Sequence, residues 1–370
     1  MKIECIRDSL LRACSIAERA TGKHLPLIIL GQILIKVSKN ILSVTATNLD
    51  FGVSINIPVK TQKEGAVALN GNIIENYLAN LPNQAHINIE LVKEQLVVSS
   101  QASSAVIATH PIDDFPQLPV IKKEDEIGTF SLDSDNLTIG IQSVFYAASN
   151  TDIKPEMASI LVQQKLNDLI FTATDSFRLA EKRVEIKNSN GGEAPPLLIP
   201  VKNAIEIAHI LEKEKGTVSV SYSKDLAVFK TENIYLTSRL IDAQFPEYNQ
   251  LIAREFQTQA VALKEDLFDA LRLAGVFSDK FHQITLRILP DDATFEFQSK
   301  KQGVGESIAK VDSTLEGVPV DLNINGRYLL DCLSSINKDS VNLGFNGQKA
   351  LLVRGVGDRS FIYLLMPLHR

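Results

Sequence analysis

The sequence predicts an α+β chain built three times over, each copy carrying two helices packed on antiparallel sheet. Three observations predict it. A helix-like segment starts at 72, 202 and 327. A polar turn and a strand of alternating polarity follow each copy. A longer amphipathic helix opens each unit. A repeat of roughly 120 residues far exceeds the period of about 20–50 residues that marks solenoids, so the copies read as whole domains. At about 150 residues per domain, 370 residues also give two or three.

The first unit opens on the helix Arg7–Ala20. Ile6, Leu10, Cys14 and Ala17 form its apolar face, and Arg12 and Arg19, seven apart, lie opposite. The strand segment Val44–Asn48, the second helix Asn72–Asn80 and the strand Ile87–Leu91 follow. Asp114-Phe115-Pro116-Gln117-Leu118 then leads into a linker at Val120–Gly128, whose run Lys122-Lys123-Glu124-Asp125-Glu126 suits an exposed boundary. The second unit repeats the order with helix Ser134–Ser149, strand Phe171–Asp175, helix Lys202–Leu211, strand Val218–Tyr222 and the motif Gln244-Phe245-Pro246-Glu247-Tyr248. After a linker at Ile252–Thr258, the third supplies helices Glu265–Phe281 and Arg327–Ile336 and strand Val341–Phe345. The expected domains are 1–120, 128–252 and 256–370.

A hydrophobic fraction of 45% and a charged fraction of 22% exclude a disordered or fibrous chain. The most apolar run, Leu25 to Val37, is broken by Pro26, Gly31, Gln32 and Lys36, so no membrane span is expected. Glu4 and Asp8 stand where a secretory signal needs apolar residues, and Cys5, Cys14 and Cys332 are odd in number and without metal spacing. Both features suit a reducing, cytoplasmic setting.

No cofactor or metal is expected. The six histidines are scattered, with no metal-ligand spacing. Gly303-Val304-Gly305 and Gly355-Val356-Gly357 lack the continuation of a phosphate loop and read as turns between strands. Asp113-Asp114 and Asp291-Asp292 are open to two readings, turn residues or carboxylate pairs for metal-dependent nuclease chemistry.

Formal charge is −6, from 38 Lys plus Arg against 44 Asp plus Glu, which on average disfavours nucleic acid. Phosphate is met by a local stripe, however. Lys202, His209 and Lys213 share a side of one helix, Arg272 and Lys280 mark another, and Arg327 lines up with Lys338. Such residues either solvate an exposed face or meet phosphate. The absence of Trp argues against base stacking.

These residues resemble the bacterial DNA sliding clamp, the beta subunit of the replicative DNA polymerase, over the full length. The resemblance is carried by Leu10-Leu11, Leu27-Ile28-Ile29-Leu30-Gly31, Asp114-Phe115-Pro116, the run Ala173-Thr174-Asp175-Ser176-Phe177-Arg178-Leu179-Ala180, Phe245-Pro246-Glu247-Tyr248 and Tyr363-Leu364-Leu365-Met366-Pro367-Leu368. It implies the DNA clamp fold and a head-to-tail homodimer closing a six-domain ring around duplex DNA, with helices lining the hole. It implies a processivity factor, without catalysis of its own, that slides without sequence preference. The replicative polymerase, clamp loader and repair proteins would insert extended peptides into a pocket formed by Met157, Thr174, Ser176, Phe177, Arg178, Leu179, Pro246, Leu251, Leu364, Met366, Pro367 and Leu368. Arg178 or Thr174 would satisfy the peptide's polar groups. The DNA-facing set carried over is Arg12, Arg19, Lys23, His24, Lys202, Lys213, Arg272 and Lys280; the dimer contact is Ile107, Val276 and Phe277. Departures from the family pattern are Ile28 in place of Pro, Val201 at an often basic position, and Ala105 where an aromatic is common. Two other functions are weighed beside this one, a metal-dependent nucleic-acid enzyme using the Asp pairs and a peptide-binding scaffold without DNA.

Overall fold

The computed structural model describes residues 1–22, 27–186, 188–189, 195–253, 255–347 and 349–368. Among them are six α-helices: α1 (Arg7–Arg19), α2 (Gly71–Ala79), α3 (Ser134–Gln142), α4 (Val201–Leu211), α5 (Lys264–Gly275) and α6 (Gly326–Ser334). The described strands form sheets of fourteen, nine and four, and every pair among them is antiparallel.

The first helix of each repeat is started by the same contact. Arg7 N donates to Ala85 O at 2.9 Å, Ser134 N to Gly216 O at 2.9 Å and Lys264 N to Asp339 O at 2.7 Å. A helix leaves its first N–H groups without internal partners, and here the turn preceding a later strand accepts one of them. The second helices of the outer repeats use an asparagine cap. Asn70 Oδ1 accepts from Ile73 N at 3.1 Å, and Asn325 Oδ1 accepts from Arg327 N at 3.1 Å and Tyr328 N at 3.3 Å.

Two helices end earlier than their polarity pattern predicts. α3 stops at Gln142 and passes into a 3₁₀ turn at Phe145–Ala147. Its β-branched and aromatic run Val144-Phe145-Tyr146 loses side-chain freedom in a helix, and Val144 N already bonds three residues back to Ile141 O. α5 stops at Gly275, beyond which Val276, Phe277 and Ser278 also bond three residues back. Ile6, placed on the apolar face of α1, ends a strand and is exposed, whereas Leu10, Cys14 and Ala17 are buried.

Cα proximity gathers the chain into two compact units that divide the central repeat. One comprises Met1–Ser134, Lys187–Ala194 and His209–Leu240; the other comprises Asp135–Ile186, Pro195–Ala208 and Ile241–Arg370. In the first, α1 packs on α2, with Arg7 Nε donating to Leu78 O at 2.6 Å and Nη2 to Ala79 O at 2.8 Å. Its fourteen-stranded sheet continues from one repeat into the next, because Phe51–Pro58 pairs with Ile234–Arg239 in the register Val53↔Leu236.

The second unit repeats the device. Arg178–Glu185 of the central repeat pairs with Phe361–Leu365 of the last, in the register Leu179↔Leu364. Gly140 of α3 lies so close to Phe171 that a Cβ there would stand 2.5 Å from the ring, which lets the helix approach the sheet. On the other face of the nine-stranded sheet Leu161, Leu179, Leu198, Leu352 and Leu364 cluster with Tyr248, and Phe245 and Ile252 pack over them.

Candidate functional site

The Thr174–Leu179 run makes a tight turn entering a strand. Thr174 Oγ1 donates to Arg178 O at 2.7 Å, and Asp175 Oδ1 accepts from Phe177 N at 2.9 Å and Arg178 N at 3.0 Å. Those bonds hold Ser176 at φ 78°, in the left-handed region. Ser176 Oγ lies 3.3 Å from Met157 Sδ, and Met366 N donates to Phe177 O at 2.8 Å. Met157, Ser176, Phe177 and Arg178 thus come to one cavity of about 770 Å³. Phe177 is 59% exposed there, a large apolar group left in water.

The other expected pocket residues surround this turn. Leu179 and Leu364, paired across two strands, are buried in the leucine cluster. Pro367 is buried, Pro246, Met366 and Leu368 are half-buried, and Leu251 is exposed. Leu368 is tied by its N–H to Asn323 O at 2.7 Å.

Thr174 and Arg178 close this turn. Both are buried, and their polar groups are engaged inside the protein. Arg178 Nε donates to Asp175 Oδ2 at 3.0 Å and Nη1 to Asp331 Oδ2 at 2.8 Å, while its Cζ stands 4.0 Å from the centre of the Tyr328 ring. Burial disfavours the charge, but Asp331 and Asp175 outweigh it and hold the guanidinium above its ordinary range. Arg178 therefore braces the pocket wall.

Several residues that hold this turn and the nearby sheet carry no local signal in the sequence. Asp331 and Tyr328 lie on α6, more than a hundred residues from Arg178. Tyr248 is a second brace: its hydroxyl donates to Glu181 Oε2 at 2.7 Å and lies 2.9 Å from Thr172 Oγ1. Glu181, itself buried, also accepts from Arg183 Nε at 3.0 Å and Nη2 at 2.9 Å. Burial, and then the Glu181 carboxylate, push the Tyr248 hydroxyl well above its ordinary pKa. The Phe245-Pro246-Glu247-Tyr248 motif is thereby pinned to the sheet. Lys154, His282 and Arg327 add a basic side to the cavity.

Of the expected DNA-facing residues, Arg12 and Arg19 on α1, Lys202 on α4, Lys213 just beyond it, Arg272 on α5 and Lys280 are all exposed. Arg12 pairs with Glu214, and Lys202 Nζ with Asp152 Oδ2 at 3.0 Å. Lys23 and His24 lie outside the described residues.

Ile107 is 5% exposed and faces its own core, while its neighbour Val106 is 60% exposed. Val276 is 67% exposed, and Phe277 rests against Gly305. Two strands nearby have an open side. Ser104–His110 pairs through Ser104–Ala108 with Gln95–Ser99 and meets its other neighbour only at Thr109 and His110. Gly305–Lys310 is the last strand of the four-stranded sheet.

Asp113, Asp114, Asp291 and Asp292 are exposed turn residues. No group of three or more His, Cys, Asp and Glu able to hold a metal occurs among the described residues.

Family models match the chain in order: the DNA polymerase III beta subunit N-terminal domain over residues 1–119, its central domain over 131–247 and its C-terminal domain over 249–369. The beta sliding clamp of Proteus mirabilis is 26% identical over 372 residues, covering 100% of both chains. That of Synechococcus elongatus is 24% identical over 374 residues, covering 100% of this chain and 99% of the relative. The fold is shared with a DnaN sliding clamp of Pseudomonas aeruginosa solved with griselimycin, at TM-score 0.94, 22% identity and 100% coverage of both chains. It is shared also with the DNA polymerase III beta subunit of Thermotoga maritima, at TM-score 0.92, 24% identity and coverage of 100% and 99%.

Proposed function

Because the chain belongs to the family of DNA polymerase III beta subunits, the beta sliding clamps, we propose that it is the processivity factor of a replicative DNA polymerase and works by enclosing duplex DNA. The observation that carries this reading is the ordered run of three family domains along one thrice-repeated chain. The repeats are read as three domains, 1–120, 128–252 and 256–370, and two chains joined head to tail as a six-domain ring. Enclosure needs no tight grip, so an overall charge of −6 is tolerated while Arg12, Arg19, Lys202, Lys213, Arg272 and Lys280 make weak, salt-screened phosphate contacts. Surface ion pairs such as Lys202–Asp152 contribute about 0–1 kcal/mol and yield readily to phosphate.

The open strand edges Ser104–Ala108 and Gly305–Lys310 support a head-to-tail seam, since each offers unpaired backbone groups beside exposed apolar residues. Val106 in the one and Ile308 in the other, with Val276 next to Phe277 at Gly305, supply those residues. The cavity at Phe177, with Met157 and Met366 at its turn, suits an extended peptide with apolar anchors from the polymerase, clamp loader or repair proteins. The subunit has no catalytic role of its own in this reading. A cytoplasmic setting agrees with three free cysteines, all buried, and no described helix is long and apolar enough to cross a membrane.

The decisive experiment loads the protein on nicked circular DNA and then linearises the circle. Enclosure predicts retention on the circle and loss from the linear form; equal retention on both refutes it.

A further inference from the structure

The first unit holds a cavity of about 840 Å³ with no part in the function above. It is built on the same frame as the cavity at Phe177. Thr47 Oγ1 donates to Phe51 O at 2.9 Å, as Thr174 does to Arg178 O. Asn48 Oδ1 accepts from Asp50 N at 3.0 Å and Phe51 N at 2.8 Å, in the manner of Asp175. Leu49 has φ 77° where Ser176 has 78°. Arg239 N donates to Asp50 O at 2.8 Å, the bond that Met366 N makes to Phe177 O. Two turns of one design therefore border two cavities.

Their linings differ in a way that selects an occupant. Gly52 and Thr237 replace the paired Leu179 and Leu364. A Cβ on Gly52 would lie 2.5 Å from Leu118 Cδ2, so Leu118, just ahead of the linker, already fills the floor. What stays open is a wall of Pro116, Ile121 and three residues left in water, Leu49 at 50%, Val120 at 74% and Ile127 at 46% exposure. Around it stand Asp50, Glu124, Asp125 and Asp225 against Lys224 and Arg239, an acidic balance. At the Phe177 cavity Lys154, Arg178 and Arg327 exceed Asp175 and Asp331. Asp50 stands 3.7 Å from Arg239 and Glu124 3.9 Å from Lys122, and Asp225 accepts from Ser223 Oγ at 3.0 Å, so the negative excess is partly met within the chain. An occupant that alternates cationic with apolar side chains complements the rest of that excess and the wall together.

We propose that the cavity lined by Leu49, Val120, Glu124, Asp125 and Asp225 is a second docking site, taking an extended segment of a partner protein in which basic residues alternate with apolar ones. Alternation at period two puts the apolar side chains on the wall and the cations toward the rim.

The test titrates the intact protein with a labelled hexapeptide of three Arg-Leu pairs and with its Glu-Leu counterpart. The basic peptide is expected to bind and the acidic one not. Val120→Asp should weaken binding about ten-fold, since an exposed valine loses its apolar contact. The double change Glu124→Lys, Asp125→Lys should weaken it at least as much, and removal of residues 366–370 should leave it unchanged. Val120 is exposed enough for an unaltered thermal melt, which circular dichroism verifies. Simple attraction to an acidic protein would be strengthened by Val120→Asp, so equal or tighter binding in that variant overturns the proposal. Failure of the basic peptide to bind, or equal binding of both peptides, also overturns it. So does loss of binding only on removal of 366–370, and that result leaves the Phe177 pocket standing.

Discussion

Arg178 Nη1 lies 2.8 Å from the Asp331 carboxylate, joining the turn at the edge of the Phe177 cavity to α6 of the last repeat. Arg178 is buried, and Asp175 holds its other side. Arg178→Ala leaves two carboxylates without their cation and is expected to cost about 3 kcal/mol. Asp331→Asn should cost less, about 1 kcal/mol, because Asp331 is partly exposed and Asp175 still pairs the guanidinium. Urea midpoints of the two variants check the order.

Tyr248→Phe removes the hydroxyl between Glu181 and Thr172 and keeps the ring in the leucine cluster. The unmet Glu181 oxygen should lower stability by about 1–3 kcal/mol. The Phe245–Tyr248 segment it pins should then loosen, read as faster amide exchange at Phe245 and Tyr248.

Asp358 accepts from Ser360 N and Ser360 Oγ, both at 2.7 Å. Burial raises its pKa, but those bonds and Lys182 and Lys338 outweigh it and hold the carboxyl below its ordinary 3.8. A depressed folded value means that the unfolded chain takes the proton first. The stabilisation is therefore complete above the ordinary value and fades as pH falls through the folded one. Unfolding midpoints of the Asp358→Asn variant should show a shallower loss of stability below pH 4 than the parent.

Val106→Asp and Val276→Asp should each give a folded chain of half the dimer mass by light scattering, since both side chains are exposed. Ile107→Ala acts elsewhere. It opens a cavity in the core and should cost about 2–5 kcal/mol of unfolding free energy.

Removal of residues 366–370 takes away the Met366 bond to Phe177 and the Leu368 bond to Asn323. Binding of a labelled apolar-anchored peptide should be lost in a fluorescence titration, while the dimer mass persists. Undiminished affinity would refute the pocket assignment.

The repeat, its helices and its strands are legible in the sequence because period and spacing are local properties. Helix ends are less so: α3 and α5 end where the N–H groups of Val144 and Val276 bond three residues back, a change of local hydrogen bonding that polarity patterns do not register. The inward turn of Ile107 escapes for a related reason, since adjacent apolar residues Val106-Ile107 give no period-two phase. Met157, Ser176 and Phe177 are expected at the pocket through motif resemblance. The bracing by Asp331 and Tyr328 is invisible because contacts at long sequence separation leave no trace in a single chain.

Each sheet that crosses a repeat boundary also changes what a boundary can do. Phe51–Pro58 and Ile234–Arg239 share ladder bonds along five residue pairs, Phe51↔Ser238 to Ile55↔Ile234. Bending the chain at 120–128 would shear all of them at once, so the first junction behaves as a weld and transmits torque from one repeat to the next. Proteolysis within that linker should then leave two fragments that migrate together until denatured.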